Sequence, residues 1–147
     1  MHTFFTPLTI VLASVSTFGV ACVWYSPVLF FKAWLIGEGI TKEQLPKKTM
    51  WNIIQAGLYS VVAYGAIASV VAVMFDVLGV TTLKLAVCLS LLLGFGFIVT
   101  TRFVDMLYTV HGKHYEKKSQ VKFLVGSGFY LVALTCMSSI IFTVSYL

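Results

Sequence analysis

Residues 50–75 read MWNIIQAGLYSVVAYGAIASVVAVMF and contain no charged side chain. A helix needs about 20 apolar residues to cross the hydrocarbon core of a bilayer, which is roughly 30 Å thick. Lipid offers the backbone no hydrogen bonds, so a spanning segment must be a helix or a strand of a closed barrel. The stretch lacks the period-two alternation of a barrel strand and therefore predicts a transmembrane helix.

Three further apolar stretches are long enough to span, at about Phe4–Tyr25, Leu83–Tyr108 and Val121–Leu147. The chain of 147 residues is 59% hydrophobic and 10% charged, whereas soluble domains average about 25% charged residues. A chain this short cannot bury so much apolar surface in a core of its own, so lipid must cover part of it. We therefore expect an all-α protein with one integral membrane domain over residues 1–147, built as a four-helix transmembrane bundle.

The lysines are distributed unevenly between the two sides of such a bundle. Loops 27–49 and 109–122 lie on one side and carry eight lysines, whereas the other side carries only Lys84. Because cytoplasmic loops are enriched in Lys and Arg, we expect both loops in the cytoplasm and both termini outside it, in the plasma (cytoplasmic or inner) membrane. Topology and anionic lipids account for the net charge of +5. We therefore predict membrane lipids as partners and no nucleic acid.

A second, short helix is expected after the first span. Ser26 followed by Pro27 is typical of a helix N-cap and first helical position, which predicts a helix over about Pro27–Ile36. Ten residues are too few to cross a bilayer. The segment is therefore expected to be an amphipathic interfacial helix that lies among the headgroups or wedges between the spans, with Lys32 reaching out to phosphate.

Two groups of residues near the cytoplasmic side have both a structural and a functional interpretation. The aromatic residues after the first span form either an interfacial belt at a helix break or the wall of a pocket. Arg102 and Asp105 lie three residues apart on one face of the third span. They are either a paired anchor for the helix end or part of a site, because ionisable groups in spans are costly. The candidate residues for a ligand or lipid pocket are Trp24, Tyr25, Ser26, Pro27, Lys32, Trp34, Arg102 and Asp105.

Metal and cofactor sites have little support in the sequence. The weak metal candidates are His111, His114 and Glu116. No spacing fixes a third ligand beside the two histidines, so a solvated loop is the simpler interpretation. The cysteines lie alone in different apolar segments, where a cysteine usually acts as a small apolar side chain. We therefore predict no metal and no cofactor.

Small residues recur in the later spans, at Gly94-x-Gly96 and Gly126-Ser127-Gly128. In lipid, helices associate where small residues let their backbones approach closely. The pattern predicts close packing within the bundle or between copies of it. A homo-oligomer or a membrane protein partner is therefore left open.

The stretch Val23 to Trp34 carries a resemblance to a known family. Residues 23–27 (VWYSP) and 29–34 (LFFKAW) resemble the WYSPLLFGKAW signature of the DUF1761 family of small multi-spanning membrane proteins, with Phe31 in place of a glycine. Residues 94–101 and 122–132 are similar to the second half of that family. The likeness covers nearly the whole chain. The function of the family is unknown, so the resemblance implies the fold and no activity.

Three classes of function are compatible with these features. A non-enzymatic module that binds a lipid or small molecule, or serves as a partner subunit, fits best because the chain lacks a catalytic set. A small-solute transporter would need a carboxylate near the middle of the membrane, and Asp105 lies near the end of its span. A membrane enzyme has the least support, since the first cytoplasmic loop has no arginine and the chain has no Cys-x-x-Cys. Enzymatic activity is left undecided.

The predicted orientation can be tested with a fusion. A reporter that is active only in the cytoplasm should be silent when it is attached after Leu147, because both termini are expected on the opposite side. The same reporter placed among the lysines of loop 27–49 should be active and serves as the control. Activity at the C-terminal fusion would reverse the topology.

Overall fold

The structure is a computed structural model that describes residues 3–108 and 117–146. Its helices are α1 (Pro7–Trp24), α2 (Phe31–Glu38), α3 (Met50–Leu78), α4 (Leu83–Leu93), α5 (Thr100–Tyr108) and α6 (Lys117–Ser145). A short 3₁₀ turn, Lys42–Gln44, follows α2, and a π-helical segment, Gly94–Val99, joins α4 to α5. The described residues contain no strand, so the all-α prediction is confirmed.

Four helices are long and apolar enough to cross a membrane: α1, α3, the continuous helix made of α4, the π segment and α5, and α6. Their outward faces carry large apolar side chains that are more than half exposed, among them Leu8, Val62, Leu92 and Phe97. An extended apolar surface of this kind is unfavourable in water, whereas lipid solvates it. The predicted four-helix transmembrane bundle is therefore confirmed.

α6 is the central helix of the bundle. Half of its most apolar 18-residue window is buried, against 17–22% for the corresponding windows of the other three spans. It packs against α1, α2 and α4. The buried hydroxyls of Ser90 on α4 and Ser138 on α6 are hydrogen-bonded to each other across one of these interfaces. Since close packing and internal hydrogen bonds hold helices together in lipid, α6 is the element on which α1, α2 and α4 assemble.

α1 is too short to cover the whole length of α6. Its 18 residues span about 27 Å by helical rise, whereas the 29 residues of α6 span about 43 Å. Trp24 at the end of α1 meets α6 at Gly128, so the first turns of α6 extend past it. α2 packs against that extension, where Gly37 lies beside the backbone of Lys122. The short helix is therefore held by α6.

α2 begins at Phe31, four residues later than predicted, and ends at Glu38, two residues later than predicted. The side chain of Ser26 does not start a helix. Instead, the Ser26 carbonyl accepts a hydrogen bond from the Phe31 backbone N–H at 3.2 Å, which closes a turn. The Phe30 ring folds back onto Trp24 in this turn, with 4.4 Å between the ring centroids. This local ring contact and the backbone hydrogen bonds from Leu29 and Phe31 to Ser26 hold residues 26–30 as a turn.

The π-helical segment sets the direction in which α5 presents its side chains. Ser90, Gly94 and Arg102 all contact α6. In a regular α-helix, the twelve residues from Ser90 to Arg102 would drift by about 120° around the axis. The i→i+5 turns of a π-helix hold more residues and reverse part of this drift. Arg102 therefore faces α6 and not the surrounding lipid.

At the other end of the bundle, Asp76 ties the N-terminal segment to α3. Its carboxylate accepts hydrogen bonds from the backbone N–H groups of Phe4 at 2.7 Å and Phe5 at 3.2 Å. It also accepts one from the Thr3 hydroxyl at 3.1 Å. The buried Phe4 ring packs edge-on against Phe75, with ring centroids 5.5 Å apart. The chain is thereby anchored before α1 begins.

Replacing Asp76 with Ala removes the acceptor for both backbone donors. We expect a loss of about 1–3 kcal/mol in unfolding free energy, because hydrogen bonds to a charged acceptor are lost and the part-buried Phe4 N–H is left without its partner. Unfolding of the detergent-solubilised protein measures it. Thr3→Ala is the control, because it removes only an exposed hydrogen bond to the same carboxylate and should cost less. Equal losses would mean that the backbone donors do not depend on Asp76.

Candidate functional site

One end of the bundle brings α1, α2, α5 and α6 together around a polar cavity. We call it the lysine-rich end, because it carries Lys32, Lys42, Lys47, Lys48, Lys117, Lys118 and Lys122. The cavity has a volume of about 170 Å³. We call it the Arg102 cavity, and its wall consists of Tyr25, Trp34, Glu38, Arg102, Lys122, Val125 and Gly126.

Arg102 is the only arginine in the chain, and its partly buried side chain lies against α6. The guanidinium carbon is 4.8 Å from the centre of the Tyr130 ring, in cation–π geometry. Its Nη1 occupies space that any side chain at position 126 would fill, since a Cβ on Gly126 would lie 2.5 Å from that nitrogen. Gly126 therefore forms a socket for the guanidinium.

Trp24 packs against a second glycine of α6, two residues after Gly126. A Cβ on Gly128 would lie 3.2 Å from Cζ2 of the indole. The indole Nε1 donates a hydrogen bond to the Val125 carbonyl at 3.2 Å. Gly126-Ser127-Gly128 therefore receives one side chain at each glycine: Arg102 from α5 and Trp24 from α1.

An ion pair connects α2 to α6 at the rim of the cavity. Lys122 Nζ lies 3.0 Å from Glu38 Oε2, and the two side chains are 55% and 32% exposed. An ion pair with this exposure contributes about 0–1 kcal/mol, so it orients the helices more than it stabilises them. The closer contact is at Gly37, where a Cβ would lie 3.0 Å from the Lys122 backbone.

A second hollow of about 120 Å³ shares Arg102 and Lys122 with the Arg102 cavity. Asp105 lines this hollow together with Ser119. Arg102 and Lys122 therefore line both the Arg102 cavity and the second hollow. The expected pairing of Arg102 with Asp105 stays a prediction, and the contacts described above direct the guanidinium toward α6.

The structure brings some of the predicted pocket residues together and separates others. Those that line a recess are Tyr25, Trp34 and Arg102 in the Arg102 cavity and Asp105 in the second hollow. Trp24 packs beside the cavity on Gly128. Those that line neither recess are Ser26 and Pro27, in the turn, and the exposed Lys32. The weak metal candidates His111, His114 and Glu116 fall outside the described residues.

Five residues in or beside the Arg102 cavity were not among the predicted candidates: Glu38, Lys122, Val125, Gly126 and Tyr130. The small-residue pattern around Gly126 gave the one available signal, since it predicts a close approach. Glu38 and Lys122 are 84 residues apart in the chain, and no local pattern indicates such a pair.

The chemistry of the site suits the binding of an anion. A guanidinium presents several donors in a planar fork that matches the oxygens of phosphate or carboxylate. Lys122 and Glu38 on the same wall form an ion pair, so the formal charge of the wall is +1 and belongs to Arg102. Ser127, between the two glycines, has a buried hydroxyl oxygen that lacks a hydrogen-bond partner within residues 3–108 and 117–146. Ser127 lines neither the Arg102 cavity nor the second hollow, so this hydroxyl is not part of either recess.

The fold and the site together define an all-α, multi-pass membrane protein whose cationic and aromatic side chains meet at one end of the bundle. The chain belongs to the DUF1761 family, described as proteins of unknown function, whose sequence profile matches residues 8–142. The match spans nearly the whole chain and confirms the resemblance in the signature residues. No curated protein and no solved structure was found to match.

Replacing Gly126 with Ala tests the socket. The new Cβ would lie 2.5 Å from Arg102 Nη1 and should displace the guanidinium, although Ala otherwise favours a helix by about 1 kcal/mol over Gly. We therefore expect Gly126→Ala to be less favourable in the wild-type chain, where the flexible Arg102 side chain must move, than in a chain that carries Arg102→Ala. Unfolding free energies of the four proteins measure this difference.

Gly128→Ala is the matched control for that experiment. Its Cβ would meet Trp24 and not Arg102. Its effect on unfolding free energy should therefore be the same in the wild-type and Arg102→Ala chains. An equal effect of Gly126→Ala on the unfolding free energies of the two chains would show that Arg102 does not occupy the socket.

Proposed function

We propose that this protein is a non-enzymatic membrane protein that binds the anionic headgroup of a membrane lipid at Arg102. Its lysine-rich end faces the cytoplasm and both termini face away from it, in the plasma (cytoplasmic or inner) membrane. The uneven distribution of lysines supports this orientation. Anionic lipids are abundant in the cytoplasmic leaflet, so the ligand is available on that side.

The observation that carries the proposal is the guanidinium of Arg102 beside the cavity. Arg102 lies six residues before the end of α5, about 9 Å by helical rise. A charged side chain costs about 2.5–3.5 kcal/mol at the centre of a membrane helix and less near a helix end, where Arg102 lies, and a cation–π contact such as that with Tyr130 returns about 0.5–2 kcal/mol. A lipid phosphate that binds the same guanidinium would offset the remaining cost of placing the charge in the membrane.

The neighbouring side chains support a headgroup at this depth. Tyr25 and Trp34 line the Arg102 cavity, and Trp24 packs beside it. Tyr and Trp are enriched where membrane and water meet, because their rings are apolar and their N–H or O–H groups are polar. The cation is therefore surrounded by side chains typical of the headgroup region.

Transport and catalysis have less support than binding. The acidic residues within the described ranges are Glu38, Glu43, Asp76 and Asp105. All of them lie near helix ends or in the 3₁₀ turn, whereas coupled transport generally uses sites near the middle of the membrane. The positions of these groups fit an interfacial binding site.

Replacing Arg102 with Gln should weaken the retention of an anionic lipid. The probe is dioleoylphosphatidylglycerol in competition with dioleoylphosphatidylcholine, and native mass spectrometry of the detergent-released protein counts the bound lipids. We expect the wild-type chain to prefer phosphatidylglycerol and the variant to bind it about tenfold more weakly, a change that corresponds to 1.4 kcal/mol. The reason is the loss of a charge-assisted hydrogen bond.

Lys84→Gln is the control for this experiment. It removes the same charge at the opposite end of the bundle, from the exposed first turn of α4. The preference for phosphatidylglycerol should not change in this variant. Equal retention of phosphatidylglycerol by the wild-type and Arg102→Gln chains would contradict the proposed function.

A further inference from the structure

A groove with wholly apolar walls lies between α3 and the π-helical segment. Its volume is about 530 Å³, within the range of about 300–1,000 Å³ that is typical of ligand pockets. Ala66 and Val70 contribute to it from α3, Phe97 and Ile98 from the π segment, and Leu134 from α6. We call it the α3–π groove.

The groove exists because the helices on its two sides pack against different neighbours. α3 packs mainly against α1, whereas α4 packs mainly against α6. The two consecutive helices therefore diverge and leave a gap between them. Val70 and Phe97 are 60% and 70% exposed, so the groove is open to the lipid around the bundle.

The groove ends close to Arg102 along two helices at once. Ile98, which lines the groove, lies four residues before Arg102 in the continuous helix. Leu134, which also lines it, lies four residues after Tyr130 in α6. Since the guanidinium sits over the Tyr130 ring, one helical turn, about 6 Å by rise, separates the apolar groove from the cation on both helices.

We propose that the α3–π groove holds one acyl chain of the lipid whose anionic headgroup binds at Arg102; this rests on the proposed function. A lipid whose headgroup points to the lysine-rich end would place its acyl chain along the apolar groove and its anionic headgroup at the guanidinium. The groove walls have no polar side chain with which to pair a buried polar group, which would therefore be costly there. The π segment contributes to the acyl-chain site and to the headgroup site, since it lines the groove and turns Arg102 toward α6.

The test compares a lipid with its own headgroup. The probes are palmitoyl lysophosphatidic acid, which has one acyl chain, and glycerol 3-phosphate, which has none. Each is titrated against the full-length protein in phosphatidylcholine nanodiscs. Val70→Trp fills the groove, and Val77→Trp is the matched control, because Val77 is an exposed α3 residue that does not line it.

We expect Val70→Trp to bind the lysolipid about tenfold more weakly, a change that corresponds to 1.4 kcal/mol, and Val77→Trp to bind it as the wild type does. Binding of glycerol 3-phosphate should be weaker than that of the lysolipid, unaffected by Val70→Trp and reduced by Arg102→Gln. Ala66→Leu fills the groove from the same wall with a smaller side chain. It should give the same result if Val70→Trp does not fold.

The outcomes separate this inference from the function on which it rests. If Arg102→Gln weakens lysolipid binding and neither groove variant does, the headgroup site stands and the acyl-chain site is overturned. Equal affinity of the wild type for the two probes also overturns the acyl-chain site. If the groove variants weaken binding and Arg102→Gln does not, the proposed function fails and this inference fails with it. A groove variant that changes the oligomeric state would assign the groove to a second copy of the chain and overturn the proposal.

Discussion

The close approach of two side chains to the backbone of α6 is the contact on which the lysine-rich end depends. Arg102 and Trp24 reach the helix at Gly126 and Gly128, where no side chain stands in the way. Between helices in lipid there is little hydrophobic driving force, so close packing and hydrogen bonds must hold them. Trp24 provides both, through its contact with Gly128 and its bond to the Val125 carbonyl. α1 ends there, and the chain turns so that α2 covers the remaining turns of α6.

A change in helical register links the polar and apolar parts of the proposed lipid site. The π segment lines the groove and rotates the following turn so that Arg102 faces α6. The hydroxyls of Thr100 and Thr101 donate to the carbonyls of Gly96 and Phe97, at 2.6 and 2.5 Å. Irregular backbone is tolerated at membrane depth when its polar groups find such internal partners. π-helical turns occur frequently at functional sites, and here one supplies residues to both parts.

Hydropathy predicts the four spans, because a membrane imposes long apolar helices whatever their packing. The small-residue pattern predicts a close approach at Gly126-Ser127-Gly128, but it cannot identify the partners, which come from two other helices. The Ser26-Pro27 pattern predicts the start of α2 four residues too early, because residues 26–30 close a turn in which the Phe30 ring contacts Trp24. The groove follows from the divergence of α3 and α4. That divergence depends on which helix each of them packs against, and the sequences of α3 and α4 do not indicate it.

The most direct test of the central claim uses the single arginine of the chain. Isotopic labelling of arginine places one labelled guanidinium in the protein, and solid-state NMR in phosphatidylglycerol bilayers can measure its dipolar coupling to lipid phosphorus. A bound headgroup puts a phosphate oxygen about 2.8 Å from a guanidinium nitrogen, so a strong nitrogen–phosphorus coupling is predicted, and Gly126→Ala should weaken it. A guanidinium with no coupling to lipid phosphorus would contradict the account.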